Sequence, residues 1–193
     1  MVLKEAVEQE ITRELSPKRL QHTRSTCQVC LSLAERFSLD AEAAWTASMW
    51  HDSSREWDIR RLTRYVQVHQ LEITSLERRV PMLLHAPAAA FRLSQDLGCS
   101  STEVYQAVRW HTTGHTSMGS LGYALYVADF LEPGRTHITG RDRERILSLD
   151  SLEAMMLEIY ALQFAYFSGK DIEPEPESLR LYHKLSIRGD QDT

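Results

Sequence analysis

The chain has 193 residues, 42% of them hydrophobic, with a formal net charge of −5 and a pI near 5.9. That length suits one domain able to bury a core without disulfides, and that charge disfavours a nucleic-acid partner held by a broad basic face. Three cysteines, an odd number, do not make a secreted disulfide framework. The first ten residues carry acids where a signal peptide needs an apolar run, and no window approaches the roughly 18 apolar residues of a membrane span. The expectation is a soluble, cytoplasmic protein with no membrane or nucleic-acid partner; a homodimer is left open.

Glycine and proline are scarce, alternating strand patterns are absent and helix caps recur, which says all-α. Ser16-Pro17 opens a helix that should run to about Phe37. At 100° per residue His22 falls in line with Val29 and Leu33, on the side of Cys27, Cys30 and Ala34, so it faces the interior. Asp40 caps the next helix, Ala41 to about His51. Its residues include Trp45, Ala47, Met49 and Trp50, so it is apolar almost all round and expected to be central. From Ser53 to Arg79 arginines and acids dominate, predicting exposed short helices and loops in the manner of a flap.

Pro81 should open a helix to about Leu97 with His85, Ala89 and Leu93 on one face, ended by Gly98. Ser100 and Glu103 have capping-box spacing, and Val104, Ala107, Val108 and His111 then follow as one helical stripe. Thr112 to Gly119 is expected as a loop, followed by a helix carrying Leu121, Leu125, Ala128 and Asp129 inward until Pro133-Gly134. Asp150 is the expected cap of a long helix ended by Gly169; an acidic linker over 173–177 leads to a last helix, about Ser178 to Ser186, and a polar tail. The core is expected over about residues 15–170, with helix and tail over 171–193, in one domain.

A His-Asp pair at the end of a buried helix needs partners, because a buried carboxylate must be paired, neutralised or bound to a cation. His22, His51, His85 and His111, with Asp52 and Asp129, are interior-facing groups on separate segments, and together they suit a two-metal site bridged by Asp52. Two such ions clamp the attacking and leaving oxygens of a phosphoryl displacement. Four imidazoles favour iron, manganese, cobalt or zinc over magnesium. Arg135, after the Asp129 helix, and Arg55, after His51-Asp52, are the arginines placed to neutralise the remaining phosphate charge. His115 is a candidate proton donor to the leaving phosphate. Trp57 and Trp110 flank candidate ligands and could approach an adenine.

The pattern His51-Asp52 with His22, His85, His111 and Asp129 resembles the HD-domain metal-dependent phosphohydrolases. His111-Thr-Thr-Gly114, then Met118, Ala128-Asp129 and Glu132-Pro133-Gly134-Arg135, is similar to the bacterial HD family of symmetrical bis(5′-nucleosyl)-tetraphosphatases. The resemblance covers about Leu15 to Tyr166. It implies an HD-domain helical bundle with the central helix ending in His51-Asp52, and a di-iron-type centre that splits diadenosine tetraphosphate into two ADP. It further implies that His22, His51, Asp52 and Asp129 hold one ion, that His85 and His111 with Asp52 hold the other, and that Thr112, Thr113, Gly114 and Arg135 lie beside the polyphosphate. Where that family has a lysine shortly after its His-Asp pair, this chain has Arg55.

Two other readings stand beside this one: an HD phosphohydrolase acting on a different nucleotide, and a non-catalytic nucleotide-sensing module. Cys27 and Cys30 lie mid-helix with no second cysteine pair, so they are read as small buried hydrophobes rather than zinc ligands.

Overall fold

The computed structural model describes residues 3–170 and 173–189. The order is α1 (Leu3–Glu14), α2 (Pro17–Arg36), α3 (Ala41–Trp50), α4 (Ile59–Val68), α5 (Ser75–Arg79), a 3₁₀ turn (Pro81–Leu84), α6 (His85–Gln95), α7 (Thr102–Trp110), α8 (Ser120–Leu131), α9 (Gly140–Leu147), α10 (Leu152–Ser168) and α11 (Pro176–Gly189). There is no strand among the described residues. The polar tail expected after the last helix lies largely outside them.

Capping explains most of the boundaries. Ser16 Oγ accepts from Arg19 N with Pro17 at the first helical position, and Asp40 Oδ1 accepts from Ala43 N at 2.7 Å. Two caps fall one residue later than expected. Ser101, not Ser100, accepts from Val104 N at 3.3 Å, and Ser151, not Asp150, accepts from Ala154 N at 3.1 Å. A capping box forms instead at Thr74 and Glu77, where each side chain bonds the other's backbone N–H.

The helix expected from Pro81 is split. Pro87 has no N–H and its ring would clash with the carbonyl four residues back, so an α-helix cannot run from residue 81 through 87. The chain makes a 3₁₀ turn first and restarts at His85, which puts Pro87 in the first turn, where no donor is needed.

α3 lies at the centre. Trp50 is fully buried, and its indole N–H donates to Ala89 O at 2.7 Å. α2, α7 and α8 pack against α3, and α10 packs on α8. A smaller core gathers Trp57, Leu62, Val66, Leu84 and Ala88. The 53–79 segment is short helices and loops with most of its arginines exposed, as expected, but these buried residues anchor it, so it is not a flap. Leu62 and Val66, one turn apart, point inward, while the Arg61 guanidinium lies 3.6 Å over the Trp57 ring. Glu77 is wholly buried against Arg109 in a two-pronged pair of 2.6 and 2.9 Å, which fixes α5 to α7. No helix is long and apolar enough to cross a membrane among the described residues.

α11 straps the loop after α7. Ser178 Oγ donates to Thr113 O at 2.6 Å and Lys184 Nζ to Thr116 O at 2.9 Å. Gly114 sits at φ +75° with Tyr160 and Leu181 so close that any Cβ would overlap the Tyr160 hydroxyl.

Candidate metal centre

Five elements deliver six side chains to one end of the bundle. His22 comes from α2, His51 and Asp52 from the turn closing α3, His85 from the start of α6, His111 from the end of α7, and Asp129 from the last turn of α8. α3, α7 and α8 thus aim their C-terminal ends at this point, and the partial negative charge there favours a cation.

Asp52 stands in the middle with its two oxygens facing opposite ways. Oδ2 lies 3.6 Å from His22 Nε2 and 3.7 Å from His51 Nε2, while Oδ1 lies 3.3 Å from His85 Nε2 and 3.7 Å from His111 Nε2. Asp129 Oδ1 is 3.0 Å from His22 Nε2 and 3.8 Å from His51 Nε2. Ligand atoms of His22, His51 and Asp129 all fall within 4.8 Å of one another, and so do those of His51, Asp52 and His111. His51 sits between the two clusters, its ring centroid 5.0 Å from that of His111.

Every imidazole is oriented from behind. His51, His85 and His111 place Nδ1 at 2.6, 2.6 and 2.8 Å from the carbonyls of Ser48, Met82 and Val108, each three residues earlier. A carbonyl only accepts, so Nδ1 carries the proton and Nε2 presents a lone pair. His22 Nδ1 instead meets Glu132 Oε1 at 3.1 Å, and Glu132 Oε2 accepts from Gly134 N at 2.7 Å. A Cβ on Gly134 would come 3.0 Å from that carboxylate. Carboxylate–His pairs of this kind fix ligand orientation at metal sites.

Electrostatics agree with the geometry. Burial pushes His51 down to about 4, and it lowers His85 too, so both rings are neutral near pH 7. Burial alone would raise Asp52, but His51, His111 and His85 around it reverse the sign and hold it well below the usual carboxylate range. Asp129 is likewise lowered: burial is outweighed by His22, His51 and Arg135. His22 moves the other way: burial would lower it, but Asp129, Asp52 and Glu132 beside it outweigh burial and raise it. The fully buried His51 Nε2 is left without a hydrogen-bond partner. This set of imidazoles and carboxylates fits a divalent cation.

Asp52, Arg55, His85, His111, Thr112, Asp129 and Arg135 line one cavity of about 320 Å³. Arg135 pairs with Asp129 through Nη2 and donates from Nε to Asp129 O at 3.0 Å. Thr112 Oγ1 and Thr113 Oγ1 are buried without partners, although only Thr112 lines this cavity. The structure does not bring Gly114 or His115 to the cluster. Gly114 faces Tyr160, and His115 stacks on Trp110 at 4.2 Å and 11°, in another cavity beside Arg109 and Glu177. Neither tryptophan reaches the site: Trp57 is buried with its indole donating to Glu14, and Trp110 donates to Gln106. Cys27 and Cys30 are buried free thiols, Cys30 raised to about 12 by burial.

Sequence reasoning missed Arg19, Glu132 and His137. Arg19 Nη1 lies 2.8 Å from Asp52 Oδ2 and lines the cavity. Glu132 had a local signal, since it stands in the Glu-Pro-Gly-Arg run; Arg19 had none.

No family model matches the chain. It is 26% identical over 175 residues to a symmetrical bis(5′-nucleosyl)-tetraphosphatase of Bacillus subtilis, a match covering 91% of this chain and 93% of that one. It is 29% identical over 161 residues to a protein of the same name from Staphylococcus aureus, covering 82% of each. A crystal structure from Clostridium acetobutylicum, described as a "predicted HD superfamily hydrolase involved in NAD metabolism", superposes with a TM-score of 0.86 over 96% of this chain and 97% of that one, at 23% identity. These relatives support a hydrolase, and the His/Asp cluster is a donor set that could hold a divalent metal. The resemblance to the HD-domain phosphohydrolases carried by the sequence thus holds in its relatives and in its architecture: the chain is an all-α protein of the HD-hydrolase fold.

Proposed function

We propose that the chain is a metal-dependent hydrolase cutting dinucleoside tetraphosphates in the middle, diadenosine tetraphosphate giving two ADP. The observation that carries this reading is Asp52, whose two oxygens serve two different sets of imidazoles. Two divalent ions fit those sets: His22, His51, Asp52 and Asp129 would hold one, and Asp52, His85 and His111 the other. The imidazole-rich chemistry favours iron, with manganese, cobalt or zinc as substitutes. When bound, such ions supply a water acidic enough to attack at neutral pH and a clamp for the oxygens of an in-line displacement.

The remaining work belongs to the chain's own residues. Four linked phosphates bring several negative charges into a cavity already holding Asp52 and Asp129. Arg19, Arg55 and Arg135 line that cavity and neutralise the phosphates; the planar Arg135 fork suits two oxygens of one phosphate. The Thr112 hydroxyl, buried and unpartnered, donates a hydrogen bond to a phosphate oxygen. The leaving group is a nucleoside diphosphate, stable as an anion, so no separate general acid is required and His115 keeps its packing role. The names of the Bacillus and Staphylococcus relatives support the choice of substrate.

The test is product analysis of diadenosine tetraphosphate incubated with protein purified without chelators. ADP as the sole nucleotide product is expected. ATP with AMP, or free phosphate as the main product, would replace this reading with that of another nucleotide hydrolase.

A further inference from the structure

The metal-centre cavity shares walls with two others. Arg19 and Arg135 also line a cavity of about 780 Å³ on one flank, and Phe130, His137 and Gln163 also line one of about 460 Å³ on the other. The two flanks differ in chemistry. The first is built from Ser16, Lys18, Gln21, Glu56 and their neighbours, and its one aromatic ring among the described residues is the imidazole of His22, already bonded to Glu132 and Asp129. The second is walled by Phe130, Leu162, Tyr166 and Phe167, with His137 packed edge-on against Phe130 at 4.6 Å. Its volume lies in the range of roughly 300–1,000 Å³ usual for small-molecule pockets.

A nucleoside polyphosphate is a flat, largely apolar base joined to a run of charges. A substrate whose phosphates lie at Asp52 and Arg135 has these two adjoining cavities within reach of its ends. A base gains by stacking on aromatic side chains and leaving water, which the Phe130 side offers. The Lys18 and Arg19 side offers charge and hydrogen bonds, which suit phosphate and ribose.

We propose that the cavity between Phe130 and Phe167 seats one nucleobase of the substrate, while the other half is held through its phosphates and ribose, without a second base seat. This rests on the nucleotide-hydrolase reading for its substrate class and extends it to how that substrate is gripped. A nucleoside 5′-tetraphosphate, with one base, is then held as well as a dinucleoside tetraphosphate.

The test reads binding, not turnover, so it stands whether or not the chain proves to be a hydrolase. The probes are AMP and inorganic pyrophosphate, titrated calorimetrically into the metal-loaded full chain. Tyr166 is 61% exposed and Phe167 is half-buried, so the double variant Tyr166→Ala/Phe167→Ala keeps its fold, checked by circular dichroism. It should weaken AMP by about tenfold or more and leave pyrophosphate within about twofold, with Tyr166→Phe retaining AMP binding. No AMP binding to the parent, unchanged AMP affinity in the double variant, or a parallel loss for pyrophosphate would each overturn the proposal. Methylene-bridged analogues of adenosine tetraphosphate and diadenosine tetraphosphate supply the second arm. Affinities within about threefold support one base seat, and a second base that adds about tenfold or more refutes it. AMP held at this seat by a chain that releases no ADP supports the seat and removes only the hydrolase.

Discussion

The Nε2 atoms of His85 and His111 face one another across 3.2 Å, while each Nδ1 is committed to a backbone carbonyl three residues earlier. Both Nε2 atoms also lie close to Asp52 Oδ1, at 3.3 and 3.7 Å. Two ring nitrogens and one carboxylate oxygen at this spacing are a donor set that would suit a divalent cation.

A cation held there would stabilise the fold, and its removal would have a measurable cost. A cation that binds only the folded state at 100 times its Kd stabilises it by about 2.7 kcal/mol. For a domain of this size that corresponds to a Tm fall of roughly 5–10 °C on chelation. Scanning calorimetry before and after treatment, with restoration by added metal, checks it; an unchanged Tm contradicts a metal centre at these residues. Metal analysis sharpens the result, because His85→Ala should lose one ion per chain and keep the other.

Glu132 tests the orientation of His22. Glu132→Gln leaves the volume unchanged but weakens the acceptor for His22 Nδ1. The expected outcome is a folded protein whose affinity for the ion held by His22 falls by about 10–100-fold. Equal metal titrations for parent and variant would remove Glu132 from the site.

Arg135 separates substrate binding from metal binding. Its guanidinium pairs with Asp129 but does not present a ligand atom. Arg135→Ala should retain metal while kcat/KM for diadenosine tetraphosphate drops by about tenfold or more, equivalent to 1.4 kcal/mol or more of lost transition-state stabilisation. Unchanged kinetics would return Arg135 to a purely structural part.

Glu77 and Arg109 make a prediction about stability alone. Both side chains are buried and bonded twice to each other. Glu77→Ala strands the Arg109 charge and should cost about 3–5 kcal/mol, lowering Tm by roughly 6–20 °C at this chain length. Denaturant unfolding gives the number directly, and a cost below about 1 kcal/mol would mean that water reaches the guanidinium.

Most helices and the candidate ligand types were legible in the sequence, because both are local matters. Ser16-Pro17 and Asp40 announce their caps one turn ahead, and the 3.6-residue period turns His22 inward with Leu33. A His-Asp pair at the end of an apolar helix needs a pairing partner, a proton or a cation whatever the topology. Tertiary structure alone decided what those groups touch. Glu132 is 110 residues from His22, and Arg19 is 33 from Asp52, so no periodicity links them. In the arginine-rich 53–79 segment the exposure was legible and the anchoring was not. Arg61 is exposed yet lies over Trp57, and the wholly buried Glu77 finds Arg109 32 residues away, so only the packing shows what holds the segment down. His115 shows the reverse case: it is a near neighbour of His111 in the chain, but the left-handed turn at Gly114, pressed against Tyr160, takes it away to stack on Trp110. Chain order sets which side chains exist and which way each helix presents them; only the packing of one helix on another brings their ends together.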